Sequence, residues 1–228
     1  DLEMSLKQRL AANGFYESQS IKLIGENQLQ DALPLRPLQD GDLIHVARPL
    51  SEDHAVLRPS LVPGLLATAS VNARQLNKSL RFFETGTVFR NSGGGKSLDL
   101  ESQGLGLLMS GSRTPQRWDE PGKSTFDLFD LKAIVQSLVP QGNIEFTSRD
   151  RDGFLLACDI KCNAKNIGIA AMVSPGRASA LDIDTQVFVA ELDLTKVITS
   201  MAGGAAIREL PQFPGSSRDM AIEAPLNL

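Results

Sequence analysis

The chain has few of the side chains that support metal, disulfide or nucleophilic chemistry. It contains two cysteines and two histidines, His45 and His54, and no group of His, Cys and carboxylate residues has the spacing of a metal site. No serine lies in a G-x-S-x-G motif. Cys158 and Cys162 fall on a predicted strand, where residues four apart are separated by about 13 Å, too far for a disulfide. We therefore predict two free buried thiols, a reducing compartment and a cytoplasmic location.

Long apolar runs and an excess of positive charge are also missing. No apolar run approaches the roughly 18 to 20 residues that a transmembrane helix needs, so we expect no membrane association. The sequence begins at Asp1 without a signal-peptide pattern, and we expect it to be part of a longer protein. The net charge is -4. Because proteins that bind nucleic acid usually carry a basic patch, this balance argues against autonomous RNA binding.

What remains is an ordinary globular composition, with 42% hydrophobic and 22% charged residues. Ser92–Lys96 ("SGGGK") lacks the full phosphate-loop frame and opens no helix, so we predict a hairpin tip there. Asp119 and Glu120 are predicted to lie in a loop. Asp127 and Asp130 are predicted to lie in the first turn of a helix, where carboxylates complement the helix dipole.

The apolar spacing predicts helices at several points of the chain. Leu2, Leu6 and Leu10 recur every fourth residue and the pattern stops at Asn13-Gly14, which indicates an amphipathic helix. A second helix is predicted over 60–76, with Ser60 as its N-cap and a proline in its first turn. A third helix follows Ser124, which together with an aspartate three residues later resembles a capping box.

Alternating apolar residues predict strands between these helices. Residues 80–90 and 103–111 are predicted to form an antiparallel pair, and further strands are predicted at 15–25, 43–50, 154–162, 167–173 and 185–194. These elements indicate an α+β fold, an antiparallel sheet flanked by helices. We place a domain boundary near Gly203–Gly204, with a core domain at 1–204 and a linker with the first strand of a second domain at 205–228.

Residues 50–89, "LSEDHAVLRPSLVPGLLATASVNARQLNKSLRFFETGTVF", carry a resemblance to a known family. They are similar to the pattern L-R-x-S-L-L-P-G-L-L followed by R-L-F-E-x-G-x-V-F in phenylalanyl-tRNA synthetase beta subunits. "FDLFDLKAIVQSLV", "VFVAELDL" and "PQFPGSSRDMAI" resemble further blocks of that family in the same order. One loop departs, since Ser174 stands where the family has histidine before a proline.

The resemblance implies a class II aminoacyl-tRNA synthetase-like core without catalytic activity. It implies a role in assembly with the catalytic alpha subunit in an (αβ)2 heterotetramer that charges tRNA-Phe with phenylalanine. ATP and Mg²⁺ are expected for the holoenzyme, and no cofactor is expected in this chain. The last block would open a ferredoxin-like anticodon-binding domain. The alternatives that stay open are a self-sufficient synthetase-like enzyme and an autonomous RNA- or nucleotide-binding module.

The same resemblance supplies candidate functional residues. The candidates for contact with the alpha subunit are Leu2, Leu6, Leu10, Arg58, Leu61 and Leu65. The structural signature residues are Pro63, Gly64, Glu84 and Gly86. An alternative for the leucines is that they only fill the core of this domain.

The quoted stretch also resembles the outline of an ATP site. Active class II synthetases grip ATP with an R-x-E triplet, whose spacing of two keeps both side chains on one face of a strand. Here Arg81 and Glu84 are three residues apart, so we predict that they lie on opposite faces. The second ATP-binding arginine of the G-x-G-x-x-R motif is also replaced, by the apolar "GLGLLMSG". The sequence therefore predicts an ATP site without its chemistry.

Overall fold

The computed structural model of the protein describes residues 2–77, 79–91, 100–114, 124–140, 142–201 and 219. The predicted hairpin tip at 92–96 and the acidic pair at Asp119 and Glu120 lie outside the described residues. So do the predicted boundary near Gly203–Gly204 and, apart from Asp219, the predicted second unit. Those predictions are therefore not tested.

Helices and strands alternate irregularly along the described residues. The helices are α1 (Leu2–Ala12), α2 (Val62–Arg74), α3 (Leu128–Leu138), α4 (Pro175–Ala180) and α5 (Leu194–Met201), with 3-10 turns at Glu26–Asp31 and Glu52–His54. The strands are β1 (Tyr16–Glu17), β2 (Leu23–Ile24), β3 (Val56–Leu57), β4 (Ser79–Phe89), β5 (Glu101–Gly111), β6 (Ile144–Arg149), β7 (Phe154–Cys162), β8 (Lys165–Val173) and β9 (Val187–Asp193).

Seven of these strands form one sheet in the order β1-β4-β5-β9-β8-β7-β6. β1 pairs with β4 in parallel, and every other neighbouring pair is antiparallel. β2 and β3 form a separate two-stranded ribbon. The predicted antiparallel pairing of residues 80–90 with 103–111 is confirmed by β4 and β5, and the predicted α+β class is confirmed by the sheet as a whole.

The apolar side chains pack on both faces of the large sheet. One cluster lies under α1, α3 and α5 and includes Leu6, Leu10, Phe83, Leu107, Leu131, Val135, Ile160 and Val197. The other lies under α2 and α4 and includes Leu65, Leu66, Ala69, Leu80, Leu108, Ile169, Ala178 and Val189. Each strand of the middle of the sheet therefore contributes alternate side chains to the two clusters, as the pleat requires.

The first helix ends where its sequence predicts. Leu6 and Leu10, four residues apart, point to the same side of α1 and are fully buried. Gly14 follows with φ +81°, the left-handed backbone conformation that glycine adopts at little cost. The chain can then turn directly into Phe15, which is buried in the same cluster.

Two predicted helix caps differ from the structure. Leu61 rather than Ser60 is the N-cap of α2, and the Ser60 hydroxyl is used in tertiary hydrogen bonds. α3 begins at Leu128, so its capping box is Asp127 with Asp130 rather than Ser124 with Asp127. The Asp127 carboxylate accepts from the Asp130 N–H at 3.0 Å, and the Asp130 carboxylate accepts from the Asp127 N–H at 2.9 Å.

Two predicted strands are shorter in the structure, and two strands, β3 and β6, and the helix α4 were not predicted. The strand expected over 15–25 is split into β1 and β2, and within 43–50 the pairing is a single bridge from His45 to Val56. β6 and α4 were missed, because an exposed edge strand and a six-residue helix have weak periodicity. Both cysteines are free and buried, as predicted. No helix in the described ranges combines the length and apolar character of a membrane span.

Candidate functional site

Arg81 and Glu84 point to opposite faces of the sheet, as their spacing predicts. β4 and β5 pair without a register shift along their full length, so side chains alternate regularly. Arg81 lies on the side of α1 and α3, where it donates to the Asn13 carbonyl at 3.1 Å and lies 4.9 Å from the centre of the Phe126 ring. Glu84 is buried on the α2 side. The two side chains cannot grip one ligand together.

Glu84 is instead paired with a buried arginine. The Arg58 guanidinium donates to Glu84 Oε1 at 2.6 Å, and the Ser20 hydroxyl donates to Glu84 Oε2 at 2.6 Å. Arg58 also donates to the Thr87 carbonyl at 3.0 Å. The side chains of Arg58 and Glu84 are 4% and 2% exposed, so both charges depend on each other and on these hydrogen bonds.

A second buried carboxylate, Glu191 of β9, lies close to the first. The Ser60 hydroxyl donates to Glu191 Oε2 at 2.9 Å, and the Leu61 N–H donates to the same oxygen at 2.9 Å. Burial raises the pKa of Glu191 to about 8, although these hydrogen bonds and the charge of Arg58 act in the opposite direction. Glu191 is therefore mostly uncharged at neutral pH.

Both carboxylates hold residues 58–61, which we call the pre-helix segment because it leads into α2. Glu84 binds Arg58 at one end of this segment, and Glu191 binds Ser60 and Leu61 at the other. The Ser60 hydroxyl also accepts from the N–H groups of Leu33 and Val62, at 3.0 and 3.2 Å. The arrangement fixes where α2 begins and how it meets the sheet.

Glycines in the sheet and in the first turn of α2 let the pre-helix segment and α2 approach their neighbours closely. A Cβ atom at Gly106 would lie 2.8 Å from Leu65 Cδ1 and 3.0 Å from Leu61 Cβ. A Cβ at Gly86 would meet the Arg58 guanidinium, and one at Gly64 would meet the Ser20 hydroxyl. The chain's own side chains thus occupy the face of the sheet that carries Glu84.

The six candidate interface residues do not share one environment. Leu6, Leu10, Leu61 and Leu65 are fully buried, and Arg58 is 4% exposed. Burial in their own domain supports the alternative that these five residues fill the core, while their contact with the alpha subunit stays an untested prediction. Leu2 is 41% exposed, and its contact with a partner stays a prediction.

The signature residues Pro63, Gly64, Glu84 and Gly86 all lie at the contact of α2 with the sheet. Sequence reasoning missed three of their neighbours: Ser20, Glu191 and the tertiary role of Ser60. In the sequence, Glu191 is only one residue of the block "VAELDL", which resembles a block of the family. A charged residue in the middle of an apolar strand was the available signal, because such a residue is rarely buried without a partner.

The two histidines lie apart from this network. His45 Nε2 is 3.2 Å from a Glu26 carboxylate oxygen, and His54 Nδ1 is 3.0 Å from the Ser51 hydroxyl. Within the ranges that the structure describes, no three His, Cys, Asp or Glu side chains are grouped so as to hold a metal ion. The buried carboxylates are occupied by internal donors. Chemically, the site is suited to holding α2 in place.

Comparison with known proteins gives a consistent result. Residues 1–194 match the family described as the phenylalanyl tRNA synthetase beta chain CLM domain. A phenylalanine--tRNA ligase beta subunit from Syntrophus aciditrophicus is 31% identical over 233 residues, which cover 97% of this chain and 28% of the relative. One from Staphylococcus aureus (strain USA300) is 31% identical over 195 residues, covering 84% of this chain and 24% of the relative.

Solved structures show the same fold. A pyrrolysyl-tRNA synthetase from Desulfitobacterium hafniense superposes with a TM-score of 0.63 at 20% identity, covering 92% of this chain and 72% of that chain. A second structure of that synthetase gives a TM-score of 0.62. The predicted synthetase-like architecture is therefore confirmed. The chain spans about a quarter of the length of the curated relatives it matches.

Proposed function

The chain belongs to the family of the phenylalanyl-tRNA synthetase beta chain CLM domain, and from this premise we propose that it is a non-catalytic structural core of a phenylalanine--tRNA ligase beta subunit. In this role it supports assembly with the catalytic alpha subunit, in an (αβ)2 heterotetramer that charges tRNA-Phe. ATP and Mg²⁺ act at the alpha subunit rather than in this chain. The working compartment is the cytoplasm.

The observation that carries the proposal is that the chain's own side chains cover the face of the sheet on which Glu84 lies. An ATP-gripping pair would need both side chains on one face, whereas Arg81 and Glu84 point to opposite faces. Leu61 and Leu65 lie against Gly106, where a ligand would otherwise approach the sheet. Glu84 is already neutralised by Arg58, so it has no free charge to offer to a metal-nucleotide complex.

The proposed contact with the alpha subunit uses the exposed apolar side chains of α1. Leu2 begins the stripe that Leu6 and Leu10 continue into the core, and it is 41% exposed, while Met4 lies on another side of the helix and is 54% exposed. An apolar side chain at the surface of a helix that is already anchored can join a partner without rearrangement of the fold. The interface proposal is therefore narrowed to the exposed residues of α1.

Light scattering of the chain, alone and mixed with its cognate alpha subunit, tests the assembly. We expect a stable mixed complex, which Leu2→Asp and Met4→Asp weaken because each places a charge in an apolar contact. Leu155→Asp is the matched control, since Leu155 is 54% exposed on β7, away from α1. The proposal is contradicted if the chain forms no complex with the alpha subunit. It is also contradicted if Leu155→Asp weakens the complex as much as Leu2→Asp and Met4→Asp do.

Two titrations separate this function from its alternatives. Calorimetric titration of the chain with ATP tests a self-sufficient synthetase-like enzyme, and we expect no saturable binding at the sheet face. Titration with tRNA-Phe at several salt concentrations tests an autonomous RNA-binding module. Tight binding with a steep salt dependence in the absence of the alpha subunit would favour that module instead.

A further inference from the structure

β6 is the last strand of the seven-stranded sheet, and one of its two edges is open. β7 pairs with it in antiparallel register along its full length, from Ile144 opposite Cys162 to Arg149 opposite Ala157. In the part of the chain that the structure describes, no strand pairs with the other edge of β6. The backbone N–H and C=O groups along that edge are therefore available to a further strand.

The side chains of β6 alternate between an apolar and a polar side. Ile144 and Phe146 pack against the apolar cluster under α3. Glu145, Thr147 and Arg149 point to the opposite face of the sheet, because side chains alternate along a strand. Edge strands that stay unpaired usually carry a proline, a bulge or a lysine. The sequence "IEFTSR" contains neither proline nor lysine, and β6 pairs with β7 without a register shift.

The two charged side chains of β6 have opposite signs and are placed symmetrically about Thr147. When two copies of β6 pair in antiparallel fashion about a two-fold axis at Thr147, Glu145 of each copy lies opposite Arg149 of the other. On β7, Lys161 lies opposite Glu145 on its other side. Charges of opposite sign would thus be neighbours along this row of the combined sheet, which stabilises cross-strand pairing.

Both charges have the capacity for this additional partner. Arg149 Nη1 donates to Asp159 Oδ1 at 2.7 Å, and the Arg149 side chain is 28% exposed. A guanidinium group carries several N–H donors, so a second carboxylate can bind beside the first. Glu145 is exposed, and its Oε1 atom accepts from the Asn143 amide at 2.9 Å. A carboxylate has two acceptor oxygens, so this hydrogen bond does not prevent contact with a cation.

An apolar cavity of about 240 Å³ lies directly beside this edge. Phe146 and Ser148 of β6 line it, together with Leu156 of β7 and Phe129 of α3. The Phe129 and Leu156 side chains are 76% and 54% exposed. Large apolar side chains that are grouped at the surface mark interaction sites. In the pairing described above, Phe146 of each copy lies opposite Ser148 of the other, so the two cavities adjoin at the two-fold axis.

We propose that two copies of the chain pair through β6 and form one continuous antiparallel sheet across a two-fold axis at Thr147. The backbone groups of the two edges hydrogen-bond to each other, and the two Glu145–Arg149 pairs fix the register. The apolar side chains around the cavities supply buried area. A two-fold dimer requires a surface that is complementary to itself, and the symmetric placement of the two charges gives β6 this property. A strand of an unrelated protein would need no such symmetry.

Sedimentation of the 228-residue chain over a range of concentrations tests the pairing. We expect a reversible rise in mass toward twice that of the chain. Glu145→Arg and Arg149→Glu should each weaken the dimer about tenfold or more, because each places two like-charged pairs across the axis. An equal mixture of the two variants should form a dimer again, because every Arg then faces a Glu. This recovery would also show that both variants are folded.

Glu52→Arg is the matched control, since Glu52 is an exposed glutamate in the 3-10 turn Glu52–His54 and does not belong to the sheet. It changes the net charge as much as Glu145→Arg does and should leave the mass distribution unchanged. A chain that stays monomeric at every concentration would overturn the proposal. So would equal weakening by the control, or a mixture of the two variants that forms no dimer. Because the measurement uses no alpha subunit, its result is independent of the assembly proposed above.

Discussion

Glu84 and Glu191 lie in one row across the sheet, and each is aligned with Gly106, which lies between them on β5. Side chains directly opposite each other in antiparallel strands share a face, so both carboxylates point toward α2. The glycine between them leaves the space into which Leu61 and Leu65 pack. Glu84, Glu191 and Gly106 thus form the surface on which the pre-helix segment packs.

Removing the charge of Arg58 should strongly destabilise the chain. Arg58→Met leaves Glu84 buried without its cation, which typically costs about 3–5 kcal/mol. Urea unfolding measures the loss, and Arg48→Met, at an exposed arginine, should change the free energy of unfolding by less than about 0.5 kcal/mol. Adding Glu84→Gln to Arg58→Met should recover part of the stability. If the double variant is no more stable than the single one, the charge of Glu84 is not the cause.

Glu191 should make the stability depend on pH. Its pKa is about 8 in the fold against an ordinary 4.5, so folding takes up a proton between these values. The stabilisation is fully present below pH 4.5 and is lost as the pH rises through 8, with a slope of up to about 1.4 kcal/mol per pH unit. Glu191→Gln, which does not titrate, should flatten the urea-unfolding free energy over this window. An unchanged slope would mean that Glu191 is ionised in the fold.

Gly106 should not tolerate a side chain. Gly106→Ala places a Cβ atom 2.8 Å from Leu65 Cδ1, so α2 must move or the core must strain, at a cost of about 1–3 kcal/mol. Gly176→Ala is the control, because a Cβ there meets nothing within 4 Å. Gly176 lies in α4, where alanine is the better helix former, and thermal unfolding should show a small gain. Similar melting temperatures for the two variants would contradict the packing argument.

Replacing Leu76 by glycine should stabilise the folded chain. It follows α2 with φ +63°, its N–H donates to the Ala73 carbonyl at 2.9 Å, and its side chain is 81% exposed. Glycine at this left-handed position removes the steric cost without loss of packing, a gain of about 1 kcal/mol. Val71→Gly, inside the same helix, should instead lower the free energy of unfolding by about 0.5 kcal/mol or less, the difference in helix propensity between valine and glycine. A loss of stability in Leu76→Gly would show that the exposed leucine has a packing role.

Local sequence patterns were sufficient to predict those features of the structure that depend on residues close together in the sequence. The opposite orientations of Arg81 and Glu84 follow from the alternation of a regular strand, and the pairing of β4 with β5 bears this out. The spacing of Leu6 and Leu10 likewise predicts α1, because residues four apart lie on one side of a helix. The family resemblance rests on blocks of neighbouring residues, so it depends on no tertiary contact.

The sequence by itself therefore determined the helices α1, α2 and α3, most of the strands, the free cysteines and the separation of Arg81 from Glu84. Only the tertiary structure decided that Leu6, Leu10, Leu61 and Leu65 fill the core, since an apolar stripe is the same whether it meets its own sheet or a partner. It also decided the contact of Ser60 with Glu191, which are 131 residues apart. Contacts at such separations arise from the order of strands in the sheet, and no local periodicity records that order.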